Sequence, residues 1–249
     1  MLGALLGYTF HIALKLPLLW TFLVVGVLCG VFGILFERFA VRPVLKSRSS
    51  LGWIISTVAV GIVVRNSANY FWGTSPLPFP SIFNEAPFFV KGIGITPQAL
   101  FTFFIAMAII ICLDVFQTRT IVGKAIRAVA FDRISAELVG INTKKTVILS
   151  FIISFSLSGI AGMLICPITF ASALIGLPLG IKGFAAVALG GLGSGKGALI
   201  GGLFLGVCET LASGLLWHGF HDTIALIFLI LVLLIKPSGI FGKYVTEKY

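Results

Sequence analysis

Between Arg119 and Lys145 the chain reads RTIVGKAIRAVAFDRISAELVGINTKK, its longest stretch without a membrane-length apolar segment. Nearly everything on either side is hydrophobic. The stretch carries Arg119, Lys124, Arg127, Arg133, Lys144 and Lys145 against only Asp132 and Glu137. Lys and Arg gather on the cytoplasmic side of membrane proteins, so this segment is expected to be a cytoplasmic loop. Within it, Ala125, Ala128, Val129, Ala136, Leu138 and Val139 alternate with charges at a spacing suited to short surface helices. Gly140 supplies a helix stop, in the left-handed conformation typical of that position. The loop is therefore expected to be structured and to present a face to a partner.

Composition excludes a soluble domain. Of the 249 residues 58% are hydrophobic and 10% charged, with a mean hydropathy of +1.12, where soluble chains carry about a quarter charged residues. The net charge of +10 does not point to nucleic acid, because the cations sit in short loops between apolar runs and form no groove-facing stripe. Cys29, Cys112, Cys166 and Cys208 all lie in apolar runs, as small buried hydrophobes do. No cofactor or metal is expected; His218, His221 and Asp222 in one short loop are too sparse for a metal site.

The expected architecture is all-α, a polytopic transmembrane bundle with about 6–8 membrane segments forming one transmembrane domain over residues 1–249, its cytoplasmic loop spanning 117–145. Met1–Leu14 is apolar but short. Leu18–Phe36 is a full span, left at Glu37–Arg38 into a basic loop with Arg42, Lys46 and Arg48. Leu51–Trp72 returns, and Gly73–Thr96 is a Pro- and Phe-rich loop. Pro97–Phe116 and Thr146–Phe170 flank the central loop. A Gly/Pro-broken piece at Ala171–Gly183, a short Phe184–Leu192, Ala198–Trp217 and Thr223–Ile235 follow. With the central loop inside, fourteen Lys and Arg fall on the cytoplasmic side, three (Lys15, Lys91 and Lys182) outside, and Arg65 within a span. Both termini are then cytoplasmic, provided the short segments cross.

Gly190 to Lys196, GGLGSGK, nearly matches the phosphate-binding loop G-x-x-x-x-G-K-[ST], but Gly197 replaces the hydroxyl residue and no strand–helix context surrounds it. A tight turn between two membrane helices is the better reading. Beyond it, Gly197, Gly201, Gly202 and Gly206 have small-xxx-small spacing for close helix packing. Glu209, deep in a span, is a functional candidate because a carboxylate there must face a cavity or a partner, with a structural hydrogen bond as the plainer alternative. Arg65 and Asn66 are candidates too, unless Arg65 only snorkels to the interface. Asp114 is read as interfacial.

The segments GKAIRAVAFDRISAELVGIN, FIISFSLSGIAGML and GFAAVALGGLGSGKGALIGGLFLGVCE resemble the permease of bacterial branched-chain amino acid ABC importers, as do MLGALLGYTF and FWGTSPLPFP. The likeness covers nearly the whole chain. It implies a non-enzymatic inner-membrane subunit working by alternating access. The implied partners are a homologous second permease, two cytoplasmic ATPase subunits, an extracytoplasmic amino-acid-binding protein and membrane lipid. It also implies that the loop docks on the ATPase, with Ala136–Gly140 at the family's Ala-x3-Gly core and Gly123, Arg127, Asp132 and Ile141 around it. Family members are expected to carry a further helix and an Asn-Phe-Ala turn ahead of the position where this sequence opens. Lys196 is not expected of a typical member. A permease for another solute (a sugar, nucleoside or other amino acid) is the nearest rival. A membrane enzyme would need clustered titratable groups at membrane depth, and a channel would have no use for the amphipathic loop.

Overall fold

The computed structural model of the protein describes residues 1–46, 52–81, 83, 87–90, 93–191, 193–215, 227, 230, 231 and 234. Ten α-helices and one small hairpin account for most of the described chain. Contacts divide it into two compact units, Met1–Ile109 with Val115–Ile175, and Ile110–Asp114 with Gly176–Tyr249.

The first unit opens with α1 (Leu2–Tyr8), continued by a π-helical turn over Thr9–Ala13. Pro17 is extended and caps α2 (Leu18–Phe36), which starts and ends where its apolar run does. The expected exit at Glu37–Arg38 is corrected by the structure. The helix continues through a π-helical turn at Glu37–Val41 into α3 (Arg42–Lys46). The wider turn brings residues five apart onto one side. Arg42 Nε and Nη2 donate to Glu37 Oε1 and Oε2 at 3.1 and 2.8 Å. Glu37, only 4% exposed, is thereby neutralised, and the charge that reads as a membrane exit is absorbed inside a 27-residue apolar helix, Leu18–Val44.

α4 (Gly52–Trp72) follows, then an antiparallel hairpin of β1 (Phe88–Val90) and β2 (Ile93–Ile95), in register from Phe88 opposite Ile95 to Val90 opposite Ile93. The hairpin lies in the segment expected to be plain loop. α5 (Pro97–Arg119) begins with proline at its first position, where the missing N–H is harmless. Then come α6 (Ile121–Phe131), α7 (Arg133–Leu138) and α8 (Thr143–Thr169).

The core of this unit is α1, α2 and α8 packed through small residues. A Cβ on Gly3 would fall 2.1 Å from Gly159 O, and one on Gly33 would fall 2.8 Å from Phe151 O. Ser156 Oγ donates to Gly26 O at 2.8 Å. In lipid there is little hydrophobic drive between helices, so close backbone approach and such hydrogen bonds hold them together. Leu77 and Ala171 exchange backbone hydrogen bonds of 2.8 and 2.9 Å, tying the loop after α4 to the chain beyond α8. Trp72 Nε1 donates to Thr9 Oγ1 at 2.8 Å, fixing the end of α4 against the π-helical turn.

The second unit is a hairpin of α9 (Gly176–Gly190) and α10 (Gly195–Leu215). The expected broken piece and short segment are thus one helix, and Lys182 lies inside it, not in an outer loop. Gly191 (φ 100°) and Gly193 (φ 87°) make the turn that the glycine-rich sequence calls for. Among the described residues, four helices are long and apolar enough to cross a membrane (Leu18–Val44, Pro97–Arg119, Thr143–Thr169 and Gly195–Ala212), with shorter apolar helices at Leu2–Ala13 and Gly176–Gly190. The expected span Thr223–Ile235 falls largely outside the described residues.

Candidate functional site

The basic stretch folds into two short helices held by caps at every joint. Thr120 Oγ1 accepts from Gly123 N at 3.0 Å, starting α6. Gly123 must be small: a Cβ there would fall 2.3 Å from Phe116 O. Asp132 starts α7, its Oδ1 accepting from Ile134 N at 2.9 Å and its Oδ2 from the Ser135 hydroxyl. These bonds, the Ser135 side chain's first, hold the Asp132 carboxyl below the usual carboxylate range, so the cap is ionised at neutral pH. Asn142 Oδ1 accepts from Lys145 N at 3.1 Å and starts α8.

α7 ends at Gly140, whose φ is +84°. Gly140 N donates to Glu137 O and Ile141 N to Ala136 O, both at 3.0 Å. This pair of bonds is a complete Schellman stop. Glu137 accepts from the Thr143 hydroxyl, bracing α7 against the start of α8. Ala136, expected on the exposed face, is instead 3% exposed and packs inward. The exposed apolar side chains are Ile121 and Val122 at the start of α6 and Phe131, Ile134, Leu138 and Val139 further on, with Leu138 at 82%. Arg127, Arg133, Lys144 and Lys145 are exposed among them. A rigid platform thus offers apolar groups within a basic field.

At membrane depth the charged residues are differently placed. Glu209 on α10 is buried and forms an ion pair with Lys182 on α9, a residue that sequence reasoning left in a loop. The signal was present: both residues lie a few turns from the glycine turn, on helices running in opposite directions. Gly197 and Gly201 lie on the facing row, where Cβ atoms would fall 2.2 Å from Gly190 O and Ala186 O respectively. Gly202 makes only an ordinary contact, at 3.7 Å from Ala186 Cβ. Gly206 corrects the expectation of packing, since a Cβ there meets nothing within 4 Å. It lies about half a turn around the helix from Gly197. A Cβ on Gly195 would sit 3.5 Å from Asp114 Oδ1, which places that carboxylate by the start of α10.

In the first unit, Arg65 is partly buried on α4, whereas its neighbour Asn66 is exposed. The charged candidates of the two units are held by different helices, and Asn66 joins neither group. Among the described residues no three His, Cys, Asp or Glu side chains converge. The Gly190–Lys196 run is the α9–α10 turn, without the strand that a phosphate loop needs.

The family model described as branched-chain amino acid transport system / permease component matches residues 1–235. The chain belongs to this permease family. It is 34% identical over 229 residues to the high-affinity branched-chain amino acid transport system permease protein LivH of Escherichia coli, covering 89% of this chain and 73% of that protein. The corresponding permease BraD of Pseudomonas aeruginosa is 32% identical over 229 residues, covering 89% and 74%. The nucleoside ABC transporter permease NupB of Lactococcus lactis is 31% identical over 159 residues, covering 58% and 43%. No solved structure gives a significant match.

Proposed function

We propose that this chain is a membrane subunit of an ABC importer that moves branched-chain amino acids across the bacterial inner membrane. It hydrolyses no ATP itself. Two cytoplasmic ATPase subunits drive it, a second permease of like fold completes the path, and an extracytoplasmic protein delivers the amino acid. The observation that carries this reading is the family match over residues 1–235, reinforced by relatives named for branched-chain amino acid transport over 89% of the chain.

The α6–α7 platform is the mechanical link. It lies inside, with both termini, by the distribution of Lys and Arg, now with Lys182 removed from the outer set. Ile134, Leu138 and Val139 seat in a groove of the ATPase, and the basic residues guide the approach. ATPase closure then pulls on α5 and α8 through Gly123 and the Gly140 stop, switching the helices between outward and inward states.

A nucleoside reading has one observation in its favour, the match to the nucleoside permease, but that match covers only 58% of the chain. Uptake by membrane vesicles holding the complete importer separates the two. Labelled L-leucine, L-isoleucine and L-valine should enter on ATP addition and compete with one another. Uptake of uridine with no uptake of these amino acids would transfer the reading to nucleosides.

A further inference from the structure

α4 turns one face towards the core of its unit. Ala68 is buried in the core cluster and Trp72 packs against it, while Gly61 and Val64 line an opening of about 230 Å³. At 100° per residue Arg65 falls at the edge of that face, about 40° from Gly61 and about 60° from Ala68, with Asn69 about 40° further round on its outer side. Asn66, Ile62 and Val63 are exposed. The opening is mostly apolar, walled by Phe32, Phe36 and Phe155 with Cys29 beside them, and Met1 and Ser158 also line it. Arg65 follows Val64 and stands one turn beyond Gly61 without itself lining the opening, and a Cβ on Gly61 would meet nothing within 4 Å.

Two polar atoms stand out on this face. Among the described residues, Arg65 Nε and Asn69 Oδ1 are buried without a hydrogen-bond partner. One is a donor on a permanent cation and the other an acceptor, and they are one helical turn apart. A buried polar atom left unpaired is costly, and a cation at membrane depth is retained where function needs it. None of the ion pairs of the described residues involves Arg65.

We infer that this face of α4 is a subsite for the amino acid in transit. Arg65 receives the carboxylate, Asn69 Oδ1 accepts from the ammonium group, and the opening beside Gly61 and Val64 takes the branched aliphatic side chain. The donor and acceptor match the two ends of a zwitterion, and the apolar wall matches its side chain. The inference rests on the amino acid reading above and gives it a place in the chain.

The test is ligand protection of Cys29 in the purified chain in lipid nanodiscs. A small thiol reagent is applied, and mass spectrometry reads the modification of Cys29 alone. The probes are L-leucine, 4-methylpentanoate, which lacks the ammonium group, and 3-methylbutylamine, which lacks the carboxylate. L-Leucine should slow the labelling in proportion to occupancy. Arg65→Gln should raise the half-protecting concentration of leucine and 4-methylpentanoate about tenfold or more, leaving 3-methylbutylamine unchanged. Asn69→Leu should weaken the amine and spare the carboxylate. Gly61→Val, which fills the opening, should weaken leucine more than alanine. Should Arg65→Gln not fold, Arg65→Lys keeps the charge and loses the planar fork, and a smaller shift in the same direction is expected. Equal protection by leucine in wild type and in either Arg65 variant overturns the subsite. Leucine uptake by the complete importer without any protection of Cys29 also overturns it, and leaves the substrate reading standing. Absence of leucine uptake by the wild type overturns the substrate reading and the subsite with it.

Discussion

Lys182 Nζ on α9 and Glu209 Oε1 on α10 form an ion pair, with side-chain exposures of only 21% and 11%. The pair closes the α9–α10 hairpin at the end away from the Gly190–Gly197 contact. Two charges taken out of water gain little over two apolar groups, but removing one leaves the other uncompensated, at about 3–5 kcal/mol. Glu209→Gln and Lys182→Met should each lower the thermal stability of the detergent-purified chain strongly. The double variant Lys182→Met with Glu209→Gln should recover most of the loss. Equal instability of the double variant would mean that the two residues do not act as a pair.

The glycines of the same hairpin divide into two kinds. Gly201→Leu drives a side chain into Ala186 O, and overpacking of this sort costs about 1–3 kcal/mol. Gly206→Leu enters open space and should be close to neutral. Melting of the two variants in the same detergent compares them directly. An equal effect at both positions would contradict the hairpin register.

Some of this could be read from the residues alone. α2 begins after Pro17 and α5 at Pro97, because proline fixes the first turn and apolar runs fix the length. The Gly140 stop follows from a glycine placed after a periodic segment, and its φ of +84° agrees. Charges misled where a partner absorbs them. Glu37–Arg38 reads as a membrane exit until Arg42, five residues on, is brought round by the π-helical turn. Lys182 reads as a loop cation until Glu209 stands opposite. The close contacts of Gly30 and Gly33 with α8 had a visible signal in the spacing of Gly26, Gly30 and Gly33 on α2. Which glycines meet a neighbour depends on helix rotation, which composition does not set. The same is true of Ala136, whose inward direction follows from how α7 lies against the chain around it.

Orientation is open to labelling. In a background whose native cysteines are replaced, Ser81→Cys should react with a membrane-impermeant thiol reagent in intact cells. Ala130→Cys, exposed on α6, should react only after the membrane is opened. The opposite pattern would invert the topology and remove the α6–α7 platform from the side where ATP is hydrolysed.

The central claim is that the capped platform between Arg119 and Lys145 transmits ATPase motion to the membrane helices. Gly140 holds a left-handed backbone that a β-branched residue resists by about 1–2 kcal/mol, with no side-chain clash to complicate the reading. Leu138→Glu places a charge on the exposed apolar face without touching the core. The direct measurement is leucine-stimulated ATP hydrolysis, together with leucine uptake, by the complete importer reconstituted in proteoliposomes. Gly140→Val and Leu138→Glu should assemble into the membrane normally, yet bind the ATPase weakly or hydrolyse ATP without moving leucine. Full stimulation and full uptake in both variants would contradict the claim and reduce the platform to a solvated connector.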